Sequence, residues 1–193
     1  MLKRLLLPAL LIAFAAFALA ACGDSESDED KIVDVIETSS TSTDPADCTE
    51  LLTLSFLEQV EGSEGDEAIE ECEADAKDEE GNPESVNVTE VEVDGSAATA
   101  NAAFVGGDFD GQTINLALVD EDGDWKLDQI EEFVVFDRDK IVSVLEEGLA
   151  EAEDPELGEC VLETLDEYSD AELEEAILEG FSAAVEEAVE GCV

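Results

Sequence analysis

Between Lys77 and Phe136 the apolar residues stop recurring at helical spacing and begin to alternate, and this switch of period commits the chain to a mixed fold. Val86 and Val88, then Val91 and Val93, alternate in two frames, which predicts a strand with a bulge near Thr89-Glu90. Asp94-Gly95, Asp110-Gly111 and Asp122-Gly123 read as turns. Ala98, Ala100, Ala102 and Phe104 then line one face of a second strand, and Ile114, Leu116 and Leu118 one face of a third. Trp125 and Leu127 open a fourth strand that runs to about Phe136. Strands joined by successive hairpins make an antiparallel sheet.

Helical patterns flank this region. Ile32, Val33 and Ile36 predict a first helix from Ser27 to Thr38, ended by the Ser/Thr run and Asp44-Pro45. Asp47, with Glu50 three residues on, predicts a helix from Cys48 whose one face holds Cys48, Leu51, Leu52 and Phe56. Gly62 to Gly65 interrupts, and Asp66 to Ala76 reads as another helix with Ala68, Ile69 and Cys72 inward. After the sheet, Asp137 caps a helix through Glu153 that carries Ile141, Leu145 and Leu149. Pro155 begins the next, with Leu157, Cys160, Val161 and Leu165. Ser169 and Glu172 form a capping box for the last, whose stripe is Leu173, Ile177, Phe181 and Ala184. The fold class is therefore α+β, with N-terminal helices on one face of the sheet and a small helical module at the end.

Residues 1–21 read as a secretory leader: Lys3 and Arg4, an apolar core from Leu5 to Leu19, then small residues. Its end, Leu19-Ala20-Ala21-Cys22 followed by Gly23, resembles the lipobox of bacterial lipoprotein precursors. That resemblance implies cleavage before Cys22 and a diacylglyceryl group on its sulfur, giving an extracytoplasmic protein held to the cell membrane by lipid. An uncleaved membrane helix is the alternative for a run of this length, and a cysteine directly after small residues disfavours it. Residues 22–30 then read as an acidic, disordered tether. With Cys22 lipidated, Cys48, Cys72, Cys160 and Cys192 remain, an even number in an exported chain. Of the three connectivities, pairing of sequence neighbours is favoured, Cys48–Cys72 and Cys160–Cys192. Each would close a loop of roughly 25–33 residues and contribute about 3.5 kcal/mol through chain entropy. No C-x-x-C spacing supports a thiolate metal site instead.

The order of helices, then Val91-Glu92-Val93-Asp94-Gly95, then alternating small residues, then Glu121 to Asp128 (E-D-G-D-W-K-L-D) resembles the nuclear transport factor two-like fold. It is similar in particular to actinobacterial lipoproteins carrying that domain. The likeness covers about Asp28 to Phe136, giving a domain over residues 31–136, and implies a cone in which helices and a curved sheet can enclose an apolar pocket. Here such a pocket would be lined by Phe56, Phe104, Leu116, Leu118 and Trp125. A packed core is preferred for the same residues, because small alanines let helices sit close to the sheet. Residues 137–193 form the acidic helical module, similar to disulfide-bridged helical modules of exported proteins in its spacing of Cys160, Tyr168-Ser169, Glu172-Leu173, Gly180 and Cys192.

Charge excludes several partners. Without its first 21 residues the chain keeps five basic residues against 55 acidic ones, a net charge of −50. Nucleic acid and anionic head groups would be repelled. Histidine is absent, removing the commonest general base and zinc ligand. The aspartate-rich turns fail as calcium loops. With Gly111 sixth in such a loop, Gly106 and Ala117 fall at the first and twelfth positions; with Gly123 sixth, Leu118 and Gln129 do. The inward faces carry no acid or base, and neither a G-x-S-x-G motif nor a phosphate-cradling loop is present.

The sequence thus predicts a lipid-anchored, exported, non-catalytic module without metal or cofactor, binding an apolar small molecule or interacting with another protein. An adaptor role through the acidic surface, toward a basic protein or divalent cations, is the alternative. A lyase or isomerase is the third reading and requires a carboxylate buried in the cone. Self-repulsion at this charge should be relieved by salt, so the melting temperature is expected to rise by several degrees from low to high ionic strength. Thermal denaturation followed by circular dichroism checks this.

Overall fold

A computed structural model describes residues 26–77, 81–150, 155–179, 189 and 192. The leader, residues 22–25 of the tether with Cys22 among them, Glu153, Gly180, Phe181 and Ala184 lie outside these described residues. Four helices, α1 (Asp28–Thr41), α2 (Asp47–Glu50), α3 (Leu54–Glu61) and α4 (Asp66–Asp75), precede the sheet. Its strands are β1 (Ser85–Asp94), β2 (Ala97–Val105), β3 (Thr113–Glu121) and β4 (Asp124–Val135). Helices α5 (Arg138–Ala150), α6 (Pro155–Asp166) and α7 (Asp170–Glu179) follow. The strands are ordered β1-β2-β3-β4 and all pairs are antiparallel, the meander expected of an α+β chain.

Helix α1 is longer than its apolar spacing predicts at its C-terminal end. A capping box between Ser27 and Asp30 starts it inside the acidic tether, where Asp28, Glu29 and Asp30 face the positive end of the helix dipole. At the other end the hydroxyls of Ser39 and Ser40 donate to the Ile36 carbonyl, and that of Thr41 to the Glu37 carbonyl. These back-bonds carry the helix through the Ser/Thr run expected to stop it. Its inward residues are Ile32, Val35 and Ile36, with Val33 only half-buried.

The helix expected from Cys48 is in fact two. Helix α2 ends at Glu50, and α3 restarts at Leu54 with Thr53 as its N-cap, its hydroxyl accepting from the Phe56 N–H at 3.2 Å. The cause lies in the sheet edge. The Leu127 N–H donates to the Leu51 carbonyl and the Thr53 N–H to the Leu127 carbonyl, both at 2.9 Å, so residues 51–53 act as a short parallel strand beside β4. Asp47 is the first helical residue rather than the cap, and its carboxylate accepts from the Ser42 hydroxyl.

In β1 the register against β2 shifts between Thr89 and Glu92, the bulge that the two-frame alternation predicts. Strand β4 shifts three times against β3, leaving Asp128, Glu131 and Val134 unpaired. The core residues Trp125, Leu127 and Phe133, with partly buried Ile130, therefore fall at spacings of two and three instead of strict alternation. Bulges bend and twist a strand. The resulting curvature lets α1 contact both edge strands, β1 and β4. Ala98, Ala100 and Ala102 of β2 share its core.

One continuous core joins Ile32 and Ile36 of α1 and the inward sheet residues to Ile141, Leu145, Val161, Leu165, Leu173 and Ile177 of the last three helices. Disulfides Cys48–Cys72 and Cys160–Cys192 are both formed, the first stapling α2 to α4. Gln112, with 0% exposure, clamps the start of α5: its Nε2 donates to the Asp137 carbonyl at 3.0 Å and its Oε1 accepts from the Asp137 N–H at 2.8 Å. Replacing Gln112 by methionine, similar in length but without the amide, leaves the Asp137 N–H unpaired and its carbonyl with the Ile141 N–H alone, and should cost about 1–3 kcal/mol. Methionine at exposed Gln129 should change stability by less than about 0.5 kcal/mol. Urea denaturation of the two variants measures both values.

Candidate functional site

The helix-covered face of the sheet is where the expected cone would hold a ligand. Leu116, Leu118 and Trp125 are 2–3% exposed and lie within the hydrophobic core. Phe56 and Phe104 are partly buried against the same core, and Phe104 packs on Phe109 with ring centroids 5.7 Å apart. Trp125 finds its polar partner in α1, its indole N–H donating to Asp28 at 3.4 Å. The structure thus brings four of the five expected pocket residues onto strands around one packed core, with Phe56 reaching it from α3. None of the five borders either of two surface hollows. Among the described residues the buried polar side chains are the amides Asn101 and Gln112, and an amide exchanges no proton at ordinary pH.

The larger hollow, about 480 Å³, is open and lies on the outside, where α3, β4 and α7 meet. Its lining comes from Gln59 of α3, Gln129, Ile130 and Glu131 of β4, and Ala171, Glu174, Glu175 and Leu178 of α7. Gln59 builds the seam. Its Nε2 donates to the carbonyls of Ile130 and Leu178, at 3.0 and 2.9 Å, while its Oε1 accepts from the Ile130 N–H at 2.8 Å. A side-chain amide thereby pairs with β4 as a neighbouring strand would, and ties α7 to the same point. Helix α7 is placed by the capping box foreseen from Ser169 and Glu172; the Ser169 hydroxyl and N–H hold the Glu172 carboxyl below the usual range. Around the apolar floor of Ile130 and Leu178 stand three carboxylates, Glu131, Glu174 and Glu175.

Among the described residues no lysine or arginine lines this hollow. Ion pairs join Lys31 to Asp28, Lys126 to Glu121, Arg138 to Asp170 and Lys140 to Asp110. Arg138 chiefly serves backbone: its guanidinium donates to the carbonyls of Leu165 and Tyr168, both at 2.8 Å, closing the C-terminal end of α6. The turn aspartates behave as turn residues. Asp110 accepts from the Gly106 N–H at 2.8 Å and Asp120 from the Gly123 N–H at 2.7 Å, and the Lys140 ammonium holds the Asp110 carboxyl low. Among the described residues no three Cys, Asp or Glu side chains are grouped to share a metal ion, and no helix is long and apolar enough to cross a membrane.

Gln59, Gln112 and Arg138 were not singled out by sequence reasoning. The one available signal belongs to Arg138, the only arginine after residue 4 in an acid-rich chain. For the two glutamines no local pattern exists, since their partners are 71 and 25 residues away in sequence. No family model, no curated protein and no solved structure matches this chain.

Glu61, at the end of α3, is titratable in an unusual range. Burial, with Asp75 and Glu71 nearby, raises its pKa from 4.5 to about 7. Between these values the folded chain binds a proton that the unfolded chain does not, so the group's contribution to stability is fully present below pH 4.5 and is lost as pH rises from there through about 7. Substitution Glu61→Gln should flatten the fall in stability across that window and raise the melting temperature at pH above 7. Thermal denaturation of both proteins across the window provides the comparison.

Proposed function

We propose that this protein is an interaction module of the cell envelope, exported and anchored through lipid on Cys22, that recognises a cationic partner without catalysing a reaction. One observation carries this reading: an apolar floor of Ile130 and Leu178 framed by Glu131, Glu174 and Glu175, in the seam that Gln59 holds together. A basic protein segment with an aliphatic side chain between lysines or arginines complements both parts. Charge around the hollow would also raise the encounter rate with such a segment. The two disulfides support an oxidising compartment, and the leader and Cys22 support the anchor by their likeness to a lipobox. Burial of Leu116, Leu118 and Trp125 favours the interaction reading over an apolar ligand held inside a nuclear transport factor two-like cone.

The anchor is tested by fractionation and intact mass. Diacylglyceryl on Cys22 and membrane retention are expected, with Cys22→Ala releasing an unmodified protein. For the partner, the processed chain is compared with a variant carrying Glu131→Gln, Glu174→Gln and Glu175→Gln. Capture of basic envelope proteins should weaken about tenfold or more in that variant and fall steeply with salt. Capture insensitive to both, or an apolar metabolite retained through purification, would return the binding site to the inside of the cone.

A further inference from the structure

An Asp-Gly dipeptide sits in each of the three connections between successive strands: Asp94-Gly95, Asp110-Gly111 and Asp122-Gly123. The pair is reactive as well as suited to turns. The main-chain nitrogen of the glycine can attack the side-chain carboxyl carbon of the aspartate, and no side chain on the glycine obstructs the approach. The carboxyl's OH and the amide's hydrogen leave together as water, and a five-membered imide closes. Water then reopens that ring at the former main-chain carbonyl, so the chain runs through the aspartate side chain as isoaspartate. No electron changes hands and no cofactor is needed. The surroundings control two things: whether the glycine nitrogen is free to reach the carbon, and whether the carboxyl carries the proton with which its OH departs.

Two of the three pairs are held against this reaction. At the β3–β4 turn the Gly123 N–H donates to the Asp120 carboxylate at 2.7 Å. At the β2–β3 connection the Gly111 N–H donates to the Phe104 carbonyl at 3.1 Å. The Asp110 carboxylate is itself occupied, accepting from the Lys140 ammonium and the Gly106 N–H, and the lysine holds its carboxyl below the usual range. Asp94-Gly95 differs on both counts. Among the described residues no acceptor holds the Gly95 N–H and no donor holds the Asp94 carboxylate. Asp94 is the last residue of β1, paired with Ala97, and Gly95 and Ser96 form an exposed tip. The Ser96 carbonyl accepts from the Asp120 N–H at 2.9 Å, which secures only the far side of that turn. Strand ends of this kind open locally far more readily than the core. We propose that Asp94-Gly95 is the site at which this protein converts to isoaspartate as it ages, the other two pairs being protected by their hydrogen bonds. The product keeps its negative charge but adds one carbon to the main chain, and the carbonyl of residue 94 becomes a free carboxylate. Pairing with Ala97 is then lost, and the tip of the β1–β2 hairpin loosens.

For the test, the purified protein is incubated near neutral pH for several weeks, digested, and mapped by fragmentation mass spectrometry that separates isoaspartate from aspartate. Isoaspartate should build up at position 94 about tenfold or more faster than at 110 or 122, the factor expected when a hydrogen bond must break before attack. In the reduced, guanidinium-denatured chain the difference should vanish, since all three pairs are Asp-Gly. Asp120→Ala frees the Gly123 N–H and should bring position 122 up toward the rate at 94, whereas Asp120→Asn keeps an acceptor and should not. Equal rates in the folded chain, or a lead for 110 or 122, would overturn the proposal. A lead for position 94 that persists on denaturation, with Asp120→Ala having no effect, would overturn the protection assigned to the hydrogen bonds and leave neighbouring sequence as the cause. The outcome is independent of the α3–β4–α7 seam and its partner.

Discussion

Strand β4 carries three residues more than β3 can pair with, Asp128, Glu131 and Val134, and the bend they impose organises the molecule around it. A straight strand would present every second residue to the helices. This one presents Trp125, Leu127, Ile130 and Phe133, so the apolar side follows a curve that α1 can close. The same strand would otherwise end the sheet with an open row of N–H and C=O groups, a hazard for association between chains. Residues 51–53 pair with Leu127, and the Gln59 amide pairs with Ile130, so two stretches of that edge are filled by non-strand elements. Helix α7 reaches the same edge through the Leu178 carbonyl. The N-terminal helices, the sheet and the C-terminal helices thus meet along one strand.

Acidity constrains how the rest is held. Acidic residues occupy the first turns of α1, α2, α4, α5 and α7, where the helix dipole favours them, yet no described helix has a basic residue in its last turn. The exposed carbonyls at those ends need other donors. Arg138 supplies α6 from a neighbouring helix, the Lys126 ammonium donates to the Thr49 carbonyl at the end of α2, and Gln59 donates to Leu178 near the end of α7. Neutral amides and a few cations placed on carbonyls do work that lysines would share in a balanced chain. Disulfide Cys48–Cys72 matters for the same reason. Helix α4 buries only Ala68 among its described residues, and its six acids would otherwise favour detachment.

Much of the architecture was legible because it rests on local chemistry. The bulge near Glu90 showed as a change of alternation frame, the three Asp-Gly turns as turn residues, and the start of α7 as Ser169 with Glu172. What stayed hidden depends on partners far away in sequence. The break between α2 and α3 is dictated by Leu127, some 75 residues on, and Asp47 with Glu50 gave a stronger local helix signal than Thr53 gave a cap. Serine and threonine hydroxyls lengthened α1 where composition predicted its end. Among the expected site residues, Leu116, Leu118 and Trp125 were correctly placed on the inward face, but inward alternation cannot distinguish a lined cavity from a filled one.

That distinction turns on side-chain size, and β2 supplies it. Alanine is a poor strand former, so Ala98, Ala100 and Ala102 in consecutive inward positions need a compensating gain. Their compensation is close approach: at 0–4% exposure they share a core with Ile32, Val35 and Ile36, whose larger side chains fill the space that bigger residues on β2 would take. An empty pocket over the same alanines would forfeit those contacts and leave the strand with low propensity and nothing gained. With its inner face used for cohesion, the sheet has polar chemistry to offer along the rim of β4. The recognition proposed for this chain is accordingly a surface property, governed by where carboxylates and amides are held in place.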